Sequence, residues 1–300
     1  MSWKATKRKD IIEISIDYKP RKDWEQWMLL TSDRHWDNPK SNRSLQKKHL
    51  ELAKKRNAIV LDGGDLFCAM QGKGDNRGAK SDIRPEHNTS DYLDSLVTTA
   101  AKWFDPYRDN IAMLAEGNHE AAVFNRKETN LTKRLSDCLG TIAMPITGFV
   151  RLVFRGSRPD GDDKKGYRIL LQYHHGYGGG GPVTRDVIQT NRKAVYLADA
   201  DIVWSGHVHE SFIVPVTRLH VTNCGNIQHR HQWHIKTPSY KESYQRGSTT
   251  WENLKGMPPK PLGCVWMRFY YIREPANKNI RKPGESTRRI RFEPCIDLDC

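Results

Sequence analysis

The sequence predicts a mixed α/β fold in which strands alternate with helices before the chain turns all-β. Two observations carry this. Five short apolar runs, WMLL, AIVL, IAMLA, RILLQY and IVW, each stop at polar or glycine-bearing residues, and amphipathic segments lie between the first of them. Buried strands that hand a polar residue to their C-terminal end are the pattern of open α/β sheets, which keep their ligands there. Past Glu210 the helical periodicity stops and only strand-like stretches remain.

Taken in order, Ile11–Ile16 alternates apolar and polar residues and reads as an edge strand. Trp27–Leu30 is a buried strand that runs into Thr31-Ser32-Asp33. Arg43–Arg56 is an amphipathic helix with Leu45, His49, Leu52 and Ala53 on one face. Ala58–Leu61 is the next strand, ending at Asp62-Gly63-Gly64-Asp65, and the strand–helix–strand order implies a parallel pair with a crossover. Residues 71–90 form a long Gly-rich, basic loop, the kind that serves as a lid or binding segment. Asp91 is the expected N-cap of a helix through Phe104. Ile111–Ala115 is a third strand, delivering Gly117-Asn118-His119-Glu120, and Ala121 to about Leu139 is helical in composition.

Phe149–Phe154 and Arg168–Tyr173 are expected strands around a turn-rich segment. The second leads into His174-His175-Gly176, Tyr177 and four glycines. Thr184–Asp199 reads as a helix, Ile202–Trp204 as the strand before Gly206-His207-Val208-His209. Phe212–Val216, Cys264–Ile272 and Arg289–Phe292 are the strands of the tail. Residues 223–262 show little periodicity and are expected to be irregular, with His229, His231 and His234 beside Trp233 read as a loop of solvated histidines. No internal repeat is visible.

Three hundred residues suffice for one large domain, or for one domain with a small appendage. The expectation is a single domain, with a motif core over about 24–215 and a basic, β-rich extension over 216–300. Mean hydropathy is −0.75 and no apolar run is long enough to span a bilayer. The basic start is broken by Glu13 and Asp17, so no secretory signal is expected and the cytoplasm is the default location. Six scattered cysteines without a CxxC pair suggest reduced thiols rather than a disulfide framework. The net charge is +14, and its excess lies in the flanks: residues 1–60 carry 15 Lys+Arg against 8 Asp+Glu, residues 61–210 carry 19 against 20. A basic rim around a near-neutral centre would concentrate polyanions, which favours a nucleic-acid or nucleotide partner.

The chemistry-bearing pieces are Asp33-Arg34-His35, Gly64-Asp65, Gly117-Asn118-His119-Glu120, His174-His175-Gly176 and Gly206-His207-Val208-His209. Imidazoles, carboxylates and one amide oxygen, without a thiolate, suit Mn²⁺, Fe or Zn²⁺ in a hydrolytic site. In an extended segment His207 and His209 would point to opposite faces, but a turn after Gly206 can aim both inward. The order DxH, GD, GNH(D/E), H, GHxH resembles the calcineurin-like metallophosphoesterase superfamily over residues 33–209. One such block is weak evidence; five in series are specific for the superfamily, though not for the substrate.

The resemblance implies a two-layer mixed β-sandwich flanked by helices and a site for two divalent ions, manganese ahead of iron, zinc or magnesium. It implies that Asp33, His35 and His209 hold one ion, that Asn118, His175 and His207 hold the other, and that Asp65 bridges them. His175 is preferred over His174 because the family's ligand usually precedes Gly and strand alternation sends the two opposite ways. Two such cations would acidify a water and clamp phosphate oxygens for in-line attack. His119 would protonate the leaving oxygen, and Glu120 would orient its imidazole. Arg34, Lys73, Arg77, Lys80, Arg84, His174 and Tyr177 are the candidate substrate contacts.

One departure narrows the substrate. The superfamily's protein phosphatases continue GD as GDxVDRG, whereas Asp65 is followed here by Leu66-Phe67-Cys68-Ala69, without the phosphate-gripping Arg. The sequence is nearer to bacterial, phage and repair-nuclease members. The expected activity is hydrolysis of a nucleic-acid or nucleotide phosphodiester. The alternatives are a phosphomonoesterase or nucleotide pyrophosphatase, and a non-enzymatic binding module on the same fold.

Overall fold

The computed structural model describes residues 2–69, 82–156, 167–179, 181, 183–221, 225–244, 251–254, 256–274 and 287–299. Their strands form two mixed sheets. One has seven strands: β1 (Trp3–Arg8), β2 (Ile11–Tyr18), β7 (Thr147–Gly156), β8 (Tyr167–His174), β9 (Ile202–Ser205), β11 (Ile227–Lys236) and β10 (Phe212–Val221), in that spatial order. The other has six: β13 (Thr287–Leu298), β12 (Gly263–Glu274), β3 (Glu25–Thr31), β4 (Ile59–Asp62), β5 (Ile111–Ala115) and β6 (Ile142–Met144). The strand–helix–strand units give the parallel run β3-β4-β5-β6, and β8, β9 and β11 are likewise parallel. The helices that matter for the site are α1 (Arg43–Lys55), α2 (Tyr92–Phe104), α3 (Asn118–Lys127), α4 (Leu131–Leu139) and α5 (Ile188–Tyr196).

Alternation along the strands builds two cores. Met28 and Leu30, Ile59 and Leu61, and Val265, Met267 and Phe269 point between the sheets, where they meet Ile12, Ile14, Val150, Leu171 and Trp204. Leu29, Val60, Leu114 and Trp266 point the other way, under α1, α2 and α4. Trp204 is fully buried between the sheets, and its Nε1 donates to Thr237 Oγ1 at 3.1 Å. A Cβ on Gly63 would run into its ring. Trp204→Ala is expected to lower unfolding free energy by about 3–5 kcal/mol, read from denaturant midpoints at unchanged m-value.

Several sequence expectations shift. Ile11–Ile16 is not an edge strand: β1 covers it antiparallel on one side and β7 runs parallel on the other. The helix expected over 121–139 is two, broken at Glu128 in a left-handed conformation, with the Asn130 side chain capping α4. α5 is shorter than the expected 184–199. Residues 227–236, expected to be irregular, form β11, paired to both β10 and β9. His229 and His231 are exposed on it, whereas His234 is buried. The tail contributes strands to both sheets, β10 and β11 to the first and β12 and β13 to the second. Among the described residues no helix is long and apolar enough to cross a membrane.

Candidate metal centre

The five motifs follow the C-terminal ends of β3, β4, β5, β8 and β9, so two sheets aim their strand ends at one place. Turning side chains inward there requires unusual backbone. Asp33, His35, Asp65, His207 and His209 all have positive φ, between 42° and 75°. Such residues persist only where the surroundings over-determine them, and they cluster at functional sites. Two glycines let the loops close: a Cβ on Gly117 would strike the Asp65 carboxylate, and one on Gly206 would strike Ser32 Oγ and Asp33 Oδ2.

The ligand atoms of Asp33, His35 and His209 lie within 4.8 Å of one another, and so do those of Asp65, His175 and His207. His35 Nε2 and His209 Nε2 are 3.3 Å apart, and His209 Nε2 is 3.4 Å from Asp33 Oδ1. His175 Nε2 lies 3.1 Å from Asp65 Oδ2 and 3.1 Å from Asn118 Oδ1, and His207 Nδ1 lies 2.8 Å from that same amide oxygen. Asp33 Oδ1 is buried without a hydrogen-bond partner, while Oδ2 accepts from Ser32 Oγ at 2.5 Å and from the His207 amide at 2.9 Å. An orphaned buried carboxylate oxygen facing a close pair of imidazole nitrogens is a poor arrangement for protein alone. It suits a cation.

The imidazoles are oriented from behind. His175 Nδ1 donates to Gly63 O at 2.9 Å, which leaves Nε2 for the cluster. His119 Nδ1 donates to Cys68 O at 2.7 Å, its amide to Asp65 Oδ1 at 2.9 Å, and its Nε2 stands 3.8 Å from Asp65 Oδ2. The role expected of Glu120 is therefore taken by the Cys68 carbonyl. The buried Glu120 carboxylate accepts from the amides of Phe67 (2.8 Å), Gly117 (2.8 Å) and Asp65 (3.1 Å), fixing the loop that carries Asp65. Burial and the neighbouring Asp65 raise its pKa to about 8.

Burial opposes charge on every group here, and the partners decide the outcome. Burial would raise the Asp65 carboxyl, but the charges of His175 and His119 outweigh it and hold it well below the usual range. Burial would likewise raise Asp33, and the close His209 imidazole together with the charge of His175 overrides that. Burial would lower His175, but Asp65 and Asp33 raise it to about 10. His35 goes down, through burial and the nearby His119. In the metal-free protein the His175 imidazolium thus stands in for a cation, and a metal must displace its proton. The sign follows: metal affinity rises with pH up to about 10, by up to tenfold per unit for one displaced proton. Calorimetric Mn²⁺ titrations in buffers of different ionisation enthalpy should show proton release near pH 7, and none in His175→Ala.

The candidate substrate contacts divide. Arg34 turns away: it is buried, pairs with Asp62 Oδ2 at 2.6 Å, donates to Thr31 Oγ1 and Gln46 Oε1, and lies over the rings of Phe104 and Tyr240. Arg84 is occupied by the carbonyls of Asn38 and Ser41. Lys73, Arg77 and Lys80 lie outside the described residues. His174 is half-buried with its Nδ1 accepting from the Gly176 amide, and it contacts the exposed Tyr177 ring. These two lie beside the His175 ligand position.

Sequence reasoning missed several neighbours of the cluster. Cys68 Sγ lies within 4.8 Å of the ligand atoms of His35 and His119, where burial pushes its thiol pKa up. Lys241 is near enough for its charge to disfavour protonation of His35. Lys236 Nζ donates to Gly206 O at 3.0 Å, and a buried Lys260–Glu210 ion pair anchors the residue after His209. None carries a motif signal; only the fold brings them in.

No protein-family model matches the chain, and no curated protein matches its sequence. Two similar solved structures are a conserved uncharacterized protein of Streptococcus pneumoniae, described as a predicted phosphoesterase, and Vps29 of Entamoeba histolytica complexed with Zn²⁺. The first is 14% identical, covers 89% of this chain and 99% of its own, and has a TM-score of 0.31. The second is 8% identical, covers 90% and 99%, and has a TM-score of 0.32. The two mixed sheets flanked by helices gather the five ordered motifs at their strand ends, which is the arrangement implied by the sequence's resemblance to calcineurin-like metallophosphoesterases.

Proposed function

We propose that this chain is a two-metal phosphoester hydrolase that cleaves phosphodiesters of nucleic acid or nucleotides. The observation that carries the reading is the gathering of Asp33, His35 and His209 beside Asp65, Asn118, His175 and His207, with Asp33 Oδ1 buried and unpartnered among them. Asp33, His35 and His209 would hold one ion, Asn118, His175 and His207 the other, with Asp65 between them. Manganese is the first choice for this oxygen- and nitrogen-rich set, with iron, zinc and magnesium behind it. When bound, the two ions supply Lewis acidity and an acidified water.

The protein's own residues do the rest. Gly63 O and Cys68 O fix the tautomers of His175 and His119, so that each presents Nε2 to the site. With Nδ1 held by Cys68 O, His119 lies close to Asp65 but outside both triads, and as an imidazolium it would give the leaving oxygen its proton from Nε2. Glu120 keeps the Asp65 loop in register. The diester preference draws on the basic flanks, which would gather a polyanion toward a near-neutral centre. The test is hydrolysis of bis-p-nitrophenyl phosphate, p-nitrophenyl phosphate, and single- and double-stranded DNA, with Mn²⁺ and with EDTA. Mn²⁺-dependent cleavage of DNA that weakens steeply with salt supports the reading. Turnover of the monoester alone would contradict the diester assignment.

A further inference from the structure

A second site lies behind the metal centre, on the outer face of the seven-stranded sheet. A helix laid on a sheet ordinarily buries apolar side chains against it. Where α5 covers β9 and β11, charged and polar side chains are instead set among Val203, Phe212 and Ile235. A small cleft there is lined by Asp186, Gln189, Thr190, Lys193, His234 and Lys236, with space for about one water-sized body.

The charges in it do not balance. Lys236 is 1% exposed, pairs with Asp186 at 2.5 Å and donates to Gly206 O at 3.0 Å. Lys193 is 6% exposed and has no hydrogen-bond or ion-pair partner among the described residues. Among the described residues Asp186 is thus the one carboxylate lining a cleft with two ammonium groups. The other acids whose charge reaches Lys236 are committed elsewhere, Glu210 to Lys260 and Asp33 to the metal centre. His234 cannot compensate: burial and the charge of Lys193 lower its pKa to about 4, so it is neutral. Burial and Lys236 lower Lys193 to about 8, which leaves it charged at neutral pH. The buried Gln189 Oε1 also lacks a partner, and turning that amide over presents its NH₂ at the same place. The Asp186 charge reaches both ammonium groups, so one carboxylate serves two cations in a mostly buried cleft, and the unbalanced charge is costly.

We propose that this cleft is a binding site for a small monovalent anion of halide size, held by the Lys193 and Lys236 side chains. The anion completes the charge balance that Asp186 leaves short. Because Lys236 also holds the carbonyl of Gly206, next to His207, an occupied site steadies the loop that carries two metal ligands. The site is independent of what the metal centre hydrolyses.

The test is thermal unfolding of the full EDTA-treated chain in sodium chloride against sodium gluconate at constant ionic strength, with ³⁵Cl NMR line widths on the same samples. The wild type should gain Tm saturably, by roughly 2–4 °C at about ten times the chloride Kd. The protein should broaden the ³⁵Cl line, and bromide should reverse that. Lys193→Met should lose both effects and Lys193→Arg should keep them. Equal chloride responses in wild type and Lys193→Met would overturn the proposal, as general screening. No response in the wild type would overturn it too, as a cleft that holds water only. If Lys193→Met does not fold, absence of bromide-reversible broadening in the wild type decides against the site.

Discussion

Asp65→Asn should lose hydrolysis by on the order of 10³-fold or more while the protein stays folded, because a bridging carboxylate carries several kcal/mol of charge stabilisation at such a site. Asparagine is the informative replacement. Its Oδ1 can still accept from the His119 amide, which Asp65 Oδ1 does at 2.9 Å, so the start of α3 keeps its anchor. What is lost is the charge beside His175 Nε2, 3.1 Å away. In the metal-free variant His175 should titrate well below the wild-type value of about 10, since Asp65 is the strongest of the groups that raise it. Metal content, circular dichroism and kcat/KM on one preparation separate the outcomes. A folded Asp65→Asn protein with undiminished turnover would contradict the bridging role.

His119→Ala should bind metal normally and lower kcat by about 10²–10⁴-fold, the usual worth of a general acid. The size of the loss should depend on the leaving group. p-Nitrophenolate departs with little help, whereas a sugar alkoxide needs a proton, so the deficit should be larger on a dinucleotide than on bis-p-nitrophenyl phosphate. Equal losses on both would assign His119 to positioning Asp65, not to protonation. The His119 imidazole and the Asp65 carboxylate are 3.8 Å apart, so this control is needed.

Those residues were legible in the sequence because each stands where an apolar run stops. Ile111–Ala115 and Ile202–Ser205 announce themselves by composition, and the strand-end rule then places Asn118 and His207. The β11 strand was not legible. Its buried positions under α5 are Gln232, held by Leu197 O and Ala200 O, His234, paired with Gln232 Oε1, and Lys236, held by Gly206 O, so with polar residues on that face no apolar alternation marks it. β1, with the sequence WKATKR, buries only Trp3 and Ala5 in part and reads as a basic tail. The direction of Arg34 was hidden for a different reason. It sits between two candidate ligands, and only the positive φ values of Asp33 and His35 send its guanidinium into the helix layer toward Asp62. Glu120 shows the same limit: a motif names a carboxylate next to a histidine, but the three amides it accepts from belong to segments the motif does not contain.

The central claim is that the seven converging side chains hold two metal ions on which activity depends. The most direct test is Mn²⁺ titration of EDTA-treated protein, with bound metal and hydrolysis of bis-p-nitrophenyl phosphate read on the same samples. Two equivalents per chain are expected, with activity rising as the second is filled and vanishing again with EDTA. Turnover that survives exhaustive chelation, or protein that binds no Mn²⁺, Zn²⁺ or Fe²⁺ at all, would contradict it.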